Sequence, residues 1–263
     1  LTAPGDQIRT LLENAQTDDD LEMACLKYVH RVRNDNNFDF DRNGEANFIA
    51  MIAPLCRTIF DIGACVGDWT QKVLTHQPAA LVHCFEPLPA NHQALVRNLG
   101  KRAFVNGFAI GARTGAMALH VPADKGTERW ELGSLYQRHA PAVDSLTEVT
   151  VQVKTLADYC REQEIGGIDL LKIDTEGAEM DVLIGGRDLF VKGRIKAAQF
   201  EYGATWLDAR RQLRDVFDLL AGLPYAVAKL MPEGYMIIDH YQPMLDSFSY
   251  SNWVILHRDL LSD

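Results

Sequence analysis

From Thr58 onward, short β-branched or apolar runs alternate with segments of helical pattern. That alternation constrains the fold more than any other feature of the chain. The runs are TIFDI (58–62), LVHCFE (81–86), AFVNGFAI (103–110), IDLLKID (168–174) and IKAAQFEY (195–202). Helical patterns lie between most of them, at 68–76, 88–99, 155–164, 177–190 and 206–222. Strands alternating with helices of this length form βαβ units, and those build a parallel sheet with helices packed on its faces. The last two runs, AVAKLM (226–231) and NWVILH (252–257), have no helix between them and predict an antiparallel pair at one sheet edge. The expected class is α/β, a doubly wound and mostly parallel sheet.

Residues 115–153 break the rhythm. Strand-like MALHV (117–121) and EVTVQV (148–153) flank a polar stretch with Trp130 and Tyr136, which predicts an inserted β-hairpin with a long tip over 122–147. Loops longer than ~12–15 residues are usually functional or disordered. Upstream, residues 6–34 read as helix. Ile8, Leu11, Leu12 and Ala15 keep a helical period, and a second segment starts at Thr17 with acids at Asp18, Asp19 and Asp20. Those acids suit the positive end of a helix dipole. A polar loop (34–47) and an apolar helix to about Cys56 follow. The expected division is a helical segment, 1–57, and one domain, 58–263, carrying the hairpin at 115–153.

Charge and composition exclude several classes. The balance is 26 − 36 = −10, and an acidic surface repels phosphate backbones, so nucleic acid is not expected as a partner. The apolar share of 47% excludes a disordered chain. The run FIAMIAPLC (48–56) contains a proline and falls far short of the ~20 residues of a membrane span. With no basic start leading into an apolar run, the expectation is a cytoplasmic protein without membrane contact. Five cysteines (25, 56, 65, 84, 160) contain no Cys-x-x-Cys, which argues against a disulfide framework or zinc knuckle. Cys25, Cys56, Cys84 and Cys160 lie in apolar stretches and are expected to be buried.

No metal site is expected. The eight histidines form no His-x-His or His-Glu-x-x-His. DFDRNG (39–44) opens like a calcium loop, but its twelfth position is Ala50, where a bidentate glutamate is needed. An Asx-rich turn entering a helix explains it better. Tyr225 and Lys229 have the spacing of a dehydrogenase pair, yet lie in a strand-like run rather than on a helix.

The chemistry sits at strand ends. In open α/β sheets, ligands bind beyond the carboxyl ends of the strands, where the strand order reverses. FDIGACVGDWT (60–70) places Asp61, Gly63, Ala64 and Gly67 there, the glycines allowing close backbone approach and entry to a helix. Glu86 ends the second strand ahead of Pro87, where a carboxylate can accept both hydroxyls of a ribose. In DLLKIDTEGAEMDVLIGG (169–186), alternation sets Lys172 and Asp174 on one face and Leu171 and Ile173 on the other. Asp174 falls at a strand tip, with Glu176, Glu179 and Asp181 at the start of the next helix. A lysine in a buried strand needs a charged partner, which Asp174 or Glu201 can supply.

Together these segments resemble the FkbM-family methyltransferases over roughly residues 58–257. The resemblance rests on DIGACVGDWT (61–70), FEPLPANHQAL (85–95), LKIDTEGAEMDVLIGG (171–186), FEY (200–202) and GSL (133–135). It implies a Rossmann-like class I methyltransferase fold and S-adenosyl-L-methionine as cofactor. It also implies O-methylation of a hydroxyl on a small molecule, natural product or glycan. Its cofactor loop maps onto Asp61, Gly63, Ala64 and Gly67, its ribose acid onto Glu86, and its acid motif onto Asp174, Glu176 and Glu179. The family usually has Asn where this chain has Cys65. An alcohol acceptor needs a base during transfer, for which the candidates are Asp174, Glu201 and His240. Trp130, Tyr136, Trp206 and Tyr235 are candidate acceptor-lining aromatics. A NAD-dependent oxidoreductase is the rival enzyme, but it predicts Gly-x-Gly-x-x-Gly where this chain has Gly63-x-x-x-Gly67. A nucleoside-binding module without turnover is the rival outside enzymes.

Overall fold

A computed structural model describes residues 6, 9–10, 13–14, 17–124, 127–128, 133–136 and 145–261. In chain order the strands are β1 (Thr58–Ile62), β2 (Leu81–Phe85), β3 (Phe104–Asn106), β4 (Ala109–Ile110), β5 (Gly115–Asp124) and β6 (Thr127–Glu128). They continue as β7 (Ser145–Lys154), β8 (Ile168–Ile173), β9 (Ile195–Tyr202), β10 (Tyr225–Met231), β11 (Gly234–Ile238) and β12 (Ser251–His257). The helices are α1 (Asp18–Arg33), α2 (Glu45–Ile52), α3 (Asp68–His76), α4 (Pro89–Leu99) and α5 (Leu156–Glu162). After them come α6 (Glu179–Gly185), α7 (Arg187–Val191), α8 (Thr205–Asp208) and α9 (Leu213–Leu220).

The main sheet has eight strands in the order β11-β10-β12-β9-β8-β1-β2-β3. Strands β9, β8, β1, β2 and β3 pair in parallel, and the chain order reverses between β1 and β8. The class is α/β and doubly wound, as expected. The central strands read as near-continuous apolar runs because helices cover both faces. On one face Phe48 and Ile49 of α2, Val73 of α3 and Leu95 and Leu99 of α4 pack on Ile59, Val82, Leu170, Ala197 and Val254. On the other, Met180 and Leu183 of α6 and Leu213 and Val216 of α9 pack on Phe60, Leu171, Ile173, Phe200 and Ile255. Each such side chain contributes roughly 1.5–3 kcal/mol through burial.

The pattern misplaced some elements. β10 and β12 are antiparallel, as expected, but β12 lies inside the sheet, antiparallel to β9 as well. The outermost strand is β11, a hairpin return from β10 that the sequence reading left out. The run 103–110 is two strands: β3 belongs to the main sheet, while β4 pairs in parallel with β7 in a second sheet ordered β4-β7-β5-β6. The expected hairpin is β5 with β7, in continuous register from Gly115↔Val153 to Ala123↔Ser145. Trp130 and much of the hairpin tip lie outside the described residues.

Thr17 caps α1 by accepting from the Asp20 N–H, as its spacing predicts. No residue of α1 is buried, and Cys25 is exposed, contrary to expectation, because its helix lies at the surface rather than in the core. Ile8, Leu11, Leu12 and Ala15 lie outside the described residues. The loop after α1 is the Asx-rich turn expected: the Asp39 carboxylate accepts from the Asp41 N–H, and Asn43 Oδ1 from the Glu45 N–H. No described helix is long and apolar enough to cross a membrane.

Candidate active site

The loop after β1 is shaped by contacts with the two neighbouring strand ends. Gly63 has φ +81°, and a Cβ there would lie 1.7 Å from the Asp174 carbonyl oxygen, so only glycine fits. The N–H groups of Gly63 and Ala64 both donate to the Phe85 carbonyl at 3.0 Å. Cys65 follows in the left-handed region, φ +47°. Its backbone N–H donates to Glu86 Oε2 at 3.0 Å. The position where the family usually carries Asn therefore works here through the main chain. Gly67 then opens α3.

The two acids nearest this loop are both buried, Asp61 to 1% and Glu86 to 4% exposure. Asp61 Oδ2 accepts from Thr70 Oγ1 at 2.6 Å, which ties the strand end to α3. Burial pushes its carboxyl up to about 6, while Thr70 and Lys172 pull the other way. Glu86 accepts the Leu88 N–H on Oε1 at 2.9 Å and Cys65 on Oε2. Burial raises it to about 7, against those backbone hydrogen bonds. A carboxylate offers about four lone-pair sites, so these bonds leave capacity for a ligand hydroxyl.

Beyond β8 the Asp174 N–H donates to the Ile62 carbonyl, 2.9 Å, which extends the strand pairing to its tip. The Asp174 carboxylate is about a third exposed, with Oδ2 3.3 Å from Lys172 Nζ. Glu176 has φ +56°, and its carbonyl accepts from Ser134 Oγ at 2.6 Å. Glu179 is fully buried and turns back to accept from the N–H and Oγ1 of Thr175 and from the Gly177 N–H. Its carboxylate braces the turn after β8 rather than pointing at a ligand.

Lys172 is itself buried, and its second partner comes from upstream of the sheet: Nζ lies 3.3 Å from Glu45 Oε2. Glu45, the first residue of α2, also accepts from Asn43, Gln199 and Asn252. Burial opposes its charge, but Lys172 and these hydrogen bonds outweigh it and hold the carboxyl below its ordinary value. Burial likewise opposes the lysine's charge, yet Glu45, Asp174 and Glu201 keep the ammonium well above its ordinary range. Sequence reasoning offered Asp174 or Glu201 to Lys172 and missed Glu45. A glutamate opening a helix looks like ordinary dipole compensation, and only the packing of α2 on the sheet brings it to β8.

Two cavities flank this loop. One, of about 270 Å³, is walled by Ile62, Phe85, Leu88, Ala109 and Ile110, with Glu86, Asp174 and Glu176 as its acids. Gly133 and Leu135 line it as well, so the segment GSL lies at the cavity wall. The other, of about 570 Å³, is lined by Phe40, Glu45, Asp61, Trp69, Lys172 and Asp174, among others. Gly63, Cys65 and Asp174 line both.

The remaining candidates divide. Glu201 stands at the end of β9, partly buried; burial, then Asp174 and Glu176, push its carboxyl well up. It lines neither cavity. His240 is exposed just past β11, which runs antiparallel to β10 and returns it toward the start of that strand. The structure thus sets His240 at the opposite end of the sheet from Asp174, beyond the end of its outermost strand, and does not bring it to the site. Trp206 is buried core, its Nε1 donating to the Glu201 carbonyl. Tyr235 packs on the α2 side of the sheet. Tyr136 gives its hydroxyl to Asp181 at 2.8 Å and lines neither cavity.

Comparison with known proteins gives a consistent picture. The family described as the methyltransferase FkbM domain matches residues 61–227. The 2-O-methyltransferase NoeI of Sinorhizobium fredii is 30% identical over 171 residues, which is 62% of this chain and 70% of that protein. The 31-O-demethyl-FK506 methyltransferase FkbM of Streptomyces tacrolimicus is 25% identical over 210 residues, 71% of this chain and 75% of that protein. Among solved structures, the O-methyltransferase from Bacillus cereus in complex with SAH aligns with 97% of this chain and 100% of that one, at 9% identity and a TM-score of 0.42.

Proposed function

Since the chain belongs to the FkbM methyltransferase family, we propose that it transfers a methyl group from S-adenosyl-L-methionine to a hydroxyl oxygen of a small molecule, natural product or glycan. One observation carries the reading: Asp174 and Gly63 line both a mainly apolar cavity ending at Glu86 and a larger cavity of mixed lining beside it. The first suits a nucleoside, with Leu88, Ala109 and Ile110 as apolar walls and Glu86 as acceptor for ribose hydroxyls. Two relatives, a 2-O-methyltransferase and a 31-O-demethyl-FK506 methyltransferase, support oxygen as the methylated atom.

When bound, S-adenosyl-L-methionine supplies an electrophilic methyl on a sulfonium. The protein's own work is alignment, exclusion of water and removal of one proton. Asp174 is the base we favour, because it is partly exposed and borders both cavities. Glu201 is the reserve, since its strongly raised carboxyl makes it a stronger base once ionised, although it reaches neither cavity. The hydrogen bond from Ser134 Oγ to the Glu176 carbonyl holds residues 133–135 against the wall of the smaller cavity.

The test is a methyl-labelled cofactor with a panel of polyhydroxylated and amine acceptors. Label recovered as an ether on oxygen supports the reading, and label on nitrogen or carbon overturns it. S-adenosyl-L-methionine should raise the melting temperature, a ligand at 100 times its Kd adding ~2.7 kcal/mol. Stabilisation by NAD alone would remove the methyltransferase assignment of this site.

A further inference from the structure

Asp61, Lys172 and Gln199 lie side by side across β1, β8 and β9, in direct register and buried. Glu45 reaches this row from α2 and is held by donors from Asn43, Lys172, Gln199 and Asn252. A buried ion pair contributes little net stability, because desolvation offsets the attraction. Three further donors fixing one buried carboxylate beside one buried ammonium therefore call for a role other than folding. The charged and titratable groups facing Lys172 are Glu45 from α2, Asp61 from β1, Asp174 from its own strand end, Glu201 from β9 and the Tyr250 hydroxyl before β12. Glu176 and Glu179 add negative charge near Glu201. One ammonium thus damps a surplus of carboxylates, and Asp174 carries that surplus to the junction of the two cavities.

We propose that Glu45 and Lys172 are positioning residues that set the charge presented at Asp174, and so govern how strongly the site prefers a positively charged cofactor over its neutral product. The inference rests on the S-adenosyl-L-methionine reading above and adds a residue from outside the family-matched region, 61–227. The chemistry makes that charge matter. The sulfonium is a cation, and S-adenosyl-L-homocysteine, left after the methyl departs, has a neutral sulfur. The lysine lowers the preference for the cation, and Glu45 restores it by sharing the ammonium with Asp174.

The test is calorimetric titration of both ligands, S-adenosyl-L-methionine and S-adenosyl-L-homocysteine, at neutral pH and low salt, reading the ratio of the two Kd values. In Lys172→Met the preference for the charged ligand should rise about three- to tenfold, the scale of one unit charge at a partly screened site. In Glu45→Gln it should fall by a similar factor. In the double variant it should return to within about twofold of the parent. A purely structural role weakens both ligands together and leaves the ratio unmoved; an unmoved ratio, or single variants shifting it the same way, overturns the proposal. Should a single variant fail to fold, the neutral double variant and Asp174→Asn carry the same test, the ratio being kept in the first and reduced in the second. Binding of neither ligand by the parent protein would overturn the cofactor reading itself.

Discussion

The Glu86 carboxylate, just past β2, receives the backbone N–H of Cys65, in the loop after β1, at 3.0 Å. Its other oxygen receives Leu88 at 2.9 Å. Asn91 is a further partner. Two strand ends that form separate motifs in the chain are thus one unit, in which the proposed ribose acceptor also holds the proposed cofactor loop in shape.

Glu86→Gln therefore affects more than a ligand contact. One of its two oxygens becomes an amide donor facing a backbone N–H, so we expect a loss of roughly 1–3 kcal/mol in folding stability. Cofactor affinity should fall by at least tenfold. Thermal melting and calorimetric binding check both numbers, and unchanged values for both would reduce Glu86 to a bystander.

Asp174→Asn separates base from scaffold. A base role predicts cofactor affinity within a few-fold of the parent, with kcat down by roughly 10²–10⁴. An orienting role predicts lost affinity instead. A variant that melts several degrees lower yet turns over normally would move the base to Glu201. His240→Ala, on the far side of the sheet, should leave both affinity and turnover unchanged.

The contribution of Asp61 and Glu86 to stability should decline as pH rises from about 4 to 7, while His83, which burial holds down to about 4, acts in the opposite sense below its ordinary 6.5. Burial raises the Asp61 carboxyl from 3.8 to about 6 and the Glu86 carboxyl from 4.5 to about 7. A raised folded value means the folded state binds more protons than the unfolded one in that window. The contribution of these groups is complete below their ordinary values and is lost as pH passes about 6 and 7. Two units on Asp61 correspond to about 3 kcal/mol. Glu45, held low, acts with the opposite sign below its ordinary 4.5, at the lower edge of this window. Asp61→Asn should flatten the slope of melting temperature against pH; an equally steep slope would exclude Asp61 as a source.

Gly63→Ala should abolish cofactor binding and destabilise the fold strongly, because its Cβ would overlap the Asp174 carbonyl. Gly100→Ala is the control. Its φ is also positive, +57°, but nothing lies within 4 Å of the new Cβ. There the backbone penalty alone remains, about 1–3 kcal/mol for an L residue at φ +57°, ψ −126°. Chemical denaturation of the two variants distinguishes packing from backbone strain.

Local pattern determined the architecture because each element must bury its own apolar face. The short apolar runs at 58–62, 81–86, 168–174 and 195–202 and the helical period between them already specify a parallel sheet. The glycine loop, Glu86 and Asp174 were legible for the same reason, as residues at strand ends. Pairing partners belong to tertiary structure. That β12 lies inside the sheet, that β3 and β4 serve different sheets, and that β11 forms the edge depend on which strand meets which, and a strand's own pattern does not encode its neighbour. Glu45 and Lys172 are 127 positions apart, and no spacing rule links them. His240 reads as a plausible base until the return direction of β11 carries it away from the site. Burial, which raises Asp61 and Glu86 and leaves Asp174 partly open, exists only once α2, α3 and α4 close over the sheet.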